Sequence, residues 1–240
     1  MVAQFRACGD TALVVQFGES IDPRLSDAVL ALDAALAETE VDGVVETVPT
    51  FRSLMIHYDP LHTTAAELRR NIEPLIGRTG TAQRPARTWR IPVCYEHDLA
   101  PDLHSVAERI GRTADDVVAL HSGATYHVYM IGFLPGYPYA GDLPRELVLP
   151  RRENPRVRVP AGSVAIATTL TAIYPVESPG GWHLIGATPV ALFDAAREPP
   201  ALIASGDRIT FEPVDRARYE DIRRAVSDHA FEVPHEEAAQ

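Results

Sequence analysis

Cysteine is nearly absent: Cys8 and Cys94 are the only two in a chain of 240 residues. They stand far apart, with no CxxC and no metal-type spacing. That removes a disulfide framework and a thiolate metal centre, and points to a reducing compartment. No uncharged run approaches the ~18 residues that a membrane-spanning helix requires. The opening MVAQFRACGD has no basic stretch followed by an apolar one, so no secretion signal is expected and the cytoplasm is the expected location. Net basic charge is missing too. The formal charge is −11, which argues against a nucleic-acid-binding surface. There is no GxxxxGKS phosphate loop, no GxGxxG after a strand, no GxSxG and no HExxH, and the nine histidines contain no pair at zinc-ligand spacing. No metal site is expected, and any chemistry must use an uncommon site.

What is present in excess is proline, 20 residues against 15 glycines. In an ordered chain this implies many fixed corners and short elements. Apolar content of 46% and charged content of 23% fit a globular protein long enough for one large domain or two small ones. The first half alternates. Strand-like runs at 11–17, 42–48, 53–58 and 88–95 are interleaved with helical periodicity. Leu25, Val29, Leu32 and Leu36 share one face, and Leu68, Ile72, Leu75 and Ile76 share another, with Pro74 weakening the last turn. The order β-α-β-β-α-β predicts an N-terminal α+β domain over 1–85 of the ferredoxin-like, split-βαβ type. Residues 77–87, polar with Gly and Pro, read as a linker.

Two helices follow, the second opened by Thr113 and Asp116 in the manner of a capping box and the pair punctuated by Gly111 and Gly123. From Tyr126 the pattern changes to short β-like runs (YHVYMIGF, SVAIATT, HLIGA, VALF, RITFEP) between Pro/Gly clusters, and a charged helix is expected over 215–230. Frequent turns between short strands predict a barrel or sandwich over 90–240, with the two helices ahead of it.

Three segments could carry chemistry. Gly132 to Tyr139 (GFLPGYPY) packs prolines, glycines and aromatics, Tyr137 among them, into a rigid loop. It suits the wall of a binding pocket or a packed barrel corner. Pro150 to Ala167 (PRRENPRVRVPAGSVAIA) runs from arginines, forked donors for carboxylate or phosphate, into Gly162 and Ser163. An ordinary turn with surface arginines is the alternative. Ser163 has no sequence partner that would make it a nucleophile. Ile173 to Pro189 (IYPVESPGGWHLIGATP) brings Tyr174, the Gly180-Gly181 turn, Trp182 and His183. His183 is the single candidate for proton transfer, with Glu177 the nearest acid; a structural histidine in a strand is the competing reading.

In that order the three segments, with LFD (Leu192–Asp194) and SGDRITF (Ser205–Phe211), closely resemble one family. It comprises the B subunits of 5-oxoprolinase, the Kip-type histidine-kinase inhibitors and allophanate hydrolase subunit 1. GDTALVVQFG (Gly9–Gly18) and RSLMIHYDP (Arg52–Pro60) extend the match over nearly the whole chain. The resemblance implies a cyclophilin-like β-barrel as the second domain. It also implies two partners, a homologous C subunit together with an A subunit, in a complex that uses ATP to open 5-oxoproline to glutamate. No ATP site is identifiable in this chain. Inhibition of a histidine kinase, or a carboxyltransferase-type role on a urea-like amide, are the family's alternatives. On the enzyme reading the substrate-binding set is Tyr137, Arg152, Arg156, Gly162, Ser163, Tyr174, Gly180, Gly181 and Trp182. The chain departs from the family pattern at Leu170 and Ala172, where an amide and a glycine are usual, and at Ala187, where an arginine is usual.

Overall fold

The computed structural model describes residues 3–77 and 85–237, so most of the expected linker lies outside the described residues. The chain divides into two units, Met1–Pro85 and Ala86–Gln240. The first contains β1 (Gln4–Ala7), β2 (Ala12–Gln16), α1 (Pro23–Thr39), β3 (Val44–Pro49), β4 (Ser53–Tyr58) and α2 (Ala65–Ile72). Its sheet runs β1-β2-β4-β3, with every neighbour antiparallel.

Helix α1 begins where the Asp22 side chain accepts the Arg24 N–H at 2.9 Å and Pro23 presets the first turn. It ends at Glu40 in the left-handed region. Helix α2 starts on a Thr64–Glu67 capping box. It stops at Ile72, earlier than the expected 76, because Pro74 cannot continue the ladder and a 3-10 turn over Glu73–Leu75 takes its place. Val29, Leu32 and Leu36 share one core with Leu13, Val15, Leu54, Ile56, Leu68 and Ile72.

The strand expected to complete this sheet is not in it. It is β5 (Arg87–Val93), which belongs to the second unit, and the edge beside β2 is taken by β1 from the other end of the sequence. Ile91, Pro92 and Val93 are consecutively buried, which suits a strand covered on both faces better than an edge. β1, mostly exposed and four residues long, gave no apolar alternation to read.

The second unit continues with α3 (Leu103–Ile110), α4 (Ala114–Ser122), β6 (Thr125–Ile131), β7 (Pro138–Gly141), β8 (Arg156–Val159), β9 (Ser163–Ala167), β10 (Leu170–Ile173), β11 (Ser178–Gly180), β12 (His183–Ala187), β13 (Arg208–Pro213), α5 (Arg216–Ser227) and β14 (His235–Glu237). Thr113 and Asp116 form the expected box at the start of α4. The strand order is β12-β9-β10-β7-β6-β13-β5-β14, antiparallel except for β13 against β5. Cys94, directly after β5, exchanges two backbone hydrogen bonds of 2.9 Å with Ala187 at the end of β12. The sheet thereby closes on itself and loses most of its free edges. β8 and β11 form a separate two-stranded ribbon. The VALF run is not a strand. It crosses as a loop with Val190 and Leu192 buried and only an isolated bridge from Phe193 to Ala201, so its apolar residues fill the core without pairing.

Inside the barrel wall His121 is fully buried and stacked on Phe211 at 4.4 Å. The Thr171 hydroxyl donates to the Ala165 carbonyl, so it accepts from His121 Nε2 at 2.9 Å. His121 Nδ1 then accepts the Tyr95 O–H at 2.8 Å. Burial pushes this imidazole down to about 3, and it stays neutral.

Candidate functional site

The loop between β6 and β7 is cinched by two backbone bonds, Gly132 N–H to the Tyr137 carbonyl and Tyr137 N–H to the Leu134 carbonyl, both 3.1 Å. This turns the Tyr137 ring inward, where it is 2% exposed. Phe133 meets it edge-on at 5.4 Å while remaining largely exposed. Tyr174, just after β10, packs perpendicular to Tyr137 at 5.1 Å. Trp182, just ahead of β12, lies edge-on to Tyr139 at 6.0 Å and to Tyr137 at 6.3 Å. Such edge-to-face packing fixes ring orientations beyond what area burial alone does.

Around these rings lies a cavity of about 390 Å3, completed by Arg151, Arg152, Pro155, Pro179, Gly180 and Gly181. Gly180 is glycine for a steric reason: a Cβ there would sit 2.3 Å from the Tyr174 hydroxyl. Burial pushes Tyr137 well up, with the neighbouring Tyr174 hydroxyl adding to it, and burial also raises Tyr139 and Tyr174. All three are neutral phenols at ordinary pH.

The arginines divide by partner. Arg151 lies over the Trp182 ring at 5.9 Å. Asp102, 4% exposed at the start of α3, is the hub for the next two. It accepts Arg152 Nη1 at 2.9 Å, Arg156 Nη1 and Nη2 at 2.8 and 2.7 Å, and the Leu184 N–H at 2.7 Å. Burial opposes ionisation of this carboxyl, but the Arg156 fork, the Leu184 N–H and the two guanidinium charges outweigh it and hold the group below the usual carboxylate range.

Of the residues singled out from the sequence, Tyr137, Arg152, Tyr174, Gly180, Gly181 and Trp182 meet at this cavity. Arg156 does not line it, its fork being spent on Asp102. Gly162 takes φ 81 where a Cβ would strike the Thr188 carbonyl at 2.3 Å, and its N–H donates to the Tyr174 carbonyl at 2.7 Å; its role is to join strands. The Ser163 hydroxyl donates to the Pro160 carbonyl at 2.8 Å. His183 is buried with Nε2 on the Pro150 carbonyl at 2.9 Å and lies outside the aromatic cavity. Glu177 pairs with Arg158 at 2.6 Å, so it is not the partner of His183. Leu170, Ala172 and Ala187 are buried in strands and none of them lines the cavity, but Ala172 sits opposite the lining residue Tyr139 across the β10–β7 pair. Of the three departures from the family pattern, the one at Ala172 therefore stands directly behind the cavity wall.

Reading the sequence missed Asp102, which stands about fifty positions from its arginines and carries no local signal. It also passed over Tyr139 and Phe133 as individual residues, although the motif containing them was identified, and it left Arg151, read as one of a basic cluster, out of the substrate-binding set. Among the described residues no Ser, Cys, His, Asp or Glu lines the aromatic cavity. It can stack a small flat molecule, offer neutral phenol hydroxyls and present guanidinium charge, but it holds no nucleophile–base pair. Among the described residues no group of three His, Cys, Asp or Glu could hold a metal ion, and no helix is long and apolar enough to cross a membrane.

Residues 3–203 match the family model described as carboxyltransferase domain, subdomain C and D. The 5-oxoprolinase B subunit of Bacillus subtilis is 34% identical over 90% of this chain and 95% of its own length. Among solved structures, the protein TTHA0988 is 38% identical and superposes with a TM-score of 0.77, over 85% of this chain and 40% of that one. This chain thus spans well under half of that longer polypeptide. The urea amidolyase of Kluyveromyces lactis superposes with a TM-score of 0.81 over 98% of this chain and 16% of its own, at 20% identity, a likeness of fold alone.

Proposed function

The chain belongs to the carboxyltransferase-domain family, subdomains C and D, in company with the 5-oxoprolinase B subunits, and from that membership we propose that it is the B subunit of a 5-oxoprolinase, a hydrolase complex that opens 5-oxoproline to glutamate with ATP hydrolysis. The observation that carries the reading is end-to-end similarity to a protein of that name, combined with a cavity built from the motifs that carry the family resemblance. The A and C partners, a cytoplasmic setting, and a ferredoxin-like first unit with a cyclophilin-like barrel are part of the same reading.

In this role the aromatic cavity holds the five-membered ring edge-on between Tyr137, Tyr139 and Trp182. Arg151 and Arg152 face its carboxylate, and the turn at Gly180 and Gly181 approaches its amide carbonyl. Because the lining supplies no nucleophile or base, the attacking group and the phosphoryl chemistry come from a partner chain, and the isolated protein has no turnover. ATP does not bind in the aromatic cavity. The test is co-expression with the A and C partners and an assay of ATP-dependent glutamate release. Activity that falls by about tenfold or more on Trp182→Phe, through loss of the indole's packing and its contact with Arg151, supports the placement. An assembled complex without glutamate release overturns the function.

A further inference from the structure

A second cavity, of about 460 Å3, lies on the other side of the arginine pair. It shares Arg151 and Arg152 with the aromatic cavity and gains Ser105, Arg109, Asn154 and His183. Arg109 comes from the last turn of α3, the two shared arginines from the segment ahead of β8, and His183 opens β12. Three guanidiniums therefore converge on one cavity, with Glu153 the single carboxylate among the described residues of its lining.

Partnering within this group is incomplete. Neither the Arg109 nor the Arg151 side chain forms an ion pair with a described residue, although the protein carries a net charge of −11 and acids are plentiful. Arg158, a few residues on, is by contrast paired with Glu177. Arg152 spends Nη1 on Asp102, yet its Nε is buried with no hydrogen-bond partner. A buried donor left unpaired is rare and costly, and on a guanidinium more so, so the protein itself does not fully satisfy the Arg152 fork.

We propose that this second cavity is a phosphate-binding site, in which Arg109, Arg151 and Arg152 close on a tetrahedral oxyanion and Ser105 and Asn154 supply neutral donors. A carboxylate is satisfied by one forked arginine, whereas donors arriving from two facing segments, Ser105 and Arg109 of α3 and Arg151, Arg152 and Asn154 ahead of β8, suit the several faces of a phosphate group. The site stands on these residues alone and holds whether or not the aromatic cavity takes 5-oxoproline. Its position gives it a consequence: Arg151 and Arg152 belong to both walls, so occupancy on one side sets the charge available on the other.

The test is calorimetric titration of the full chain, at constant ionic strength, with inorganic phosphate and separately with ADP. Saturable binding of phosphate, weakened about tenfold by Arg109→Ala and unchanged by Arg158→Ala, is the expected result. Arg109 is exposed and forms no ion pair with a described residue, so its removal leaves the fold intact. Competition between ADP and phosphate assigns the phosphoryl group to a nucleotide, and phosphate binding that ADP does not disturb assigns it to the free ion; both support the site. Absence of saturable binding by either probe, or equal weakening by Arg109→Ala and Arg158→Ala, overturns it. Glutamate release by the assembled complex is a separate readout, so failure of the phosphate site and failure of the proposed activity are told apart.

Discussion

Asp102 holds two guanidiniums and a backbone N–H with two oxygens, and a neutral side chain of the same shape cannot do so. Replacing it by Asn leaves two half-buried cations facing an amide, and breaking a buried pair in this way costs about 3–5 kcal/mol. The D102N protein is therefore expected to unfold at clearly lower denaturant concentration. The Asp102 carboxyl is held below the unfolded value, so its stabilisation is complete above ~pH 4 and is lost as the pH falls through the lower folded value. That lowest part of the acid limb should be missing from D102N. Gly180 offers a sharper test of the cavity wall. A methyl group there collides with the Tyr174 hydroxyl, and overpacking of this kind costs about 1–3 kcal/mol. Gly180→Ala should lower the melting temperature, and Tyr174→Phe in the same chain should recover part of the loss. An uncoupled, additive double variant would show that the close approach is not what keeps the residue glycine.

Among the elements, the barrel wall around α4, β10 and β13 turns on a neutral histidine. His121 is held down to about 3, far below the ~6.5 of an unfolded chain. Between those values the unfolded chain binds a proton that the native one does not, so stability falls as the pH falls, by up to about 1.4 kcal/mol per pH unit. Unfolding measured from pH 6.5 to 4.5, above the Asp102 window, should show this slope in the wild type. His121→Gln keeps one donor and one acceptor for Thr171 and Tyr95, so it should flatten the slope even where overall stability drops. The helices were legible because their signals are local: Val29, Leu32 and Leu36, and likewise Leu68 and Ile72, recur at helical spacing, and Thr113 with Asp116 starts α4 through bonds within a few residues. β5 was visible as a strand but its sheet was not, since TWRIPV has the same pattern whichever neighbour it pairs with.

For the molecule as a whole, the placement of β5 decides where the second unit begins. A fragment covering 86–240 retains the strand that pairs with β13 and leads into the Cys94–Ala187 closure. It should fold by itself with one cooperative transition, whereas a fragment starting at 97 leaves β13 without its parallel partner and the barrel open, and should not. Circular dichroism and denaturant unfolding of the two fragments check this. A well-folded 97–240 fragment would show that closure through β5 is dispensable.

The sequence by itself determined the helical faces, the start of α4, the existence of most strands, the change of pattern near Tyr126, and the motifs from which the aromatic cavity is built. Each of these depends on residues a few positions apart, or on motifs long enough to identify a family. Tertiary structure alone decided which sheet β5 joins, that Glu177 belongs to Arg158 and not to His183, and that Asp102 takes up the whole Arg156 fork while leaving Arg152 Nε without an acceptor. Those outcomes are set by which segments the fold brings side by side, and an arginine reads the same in sequence whether it is bound to a carboxylate or still waiting for one.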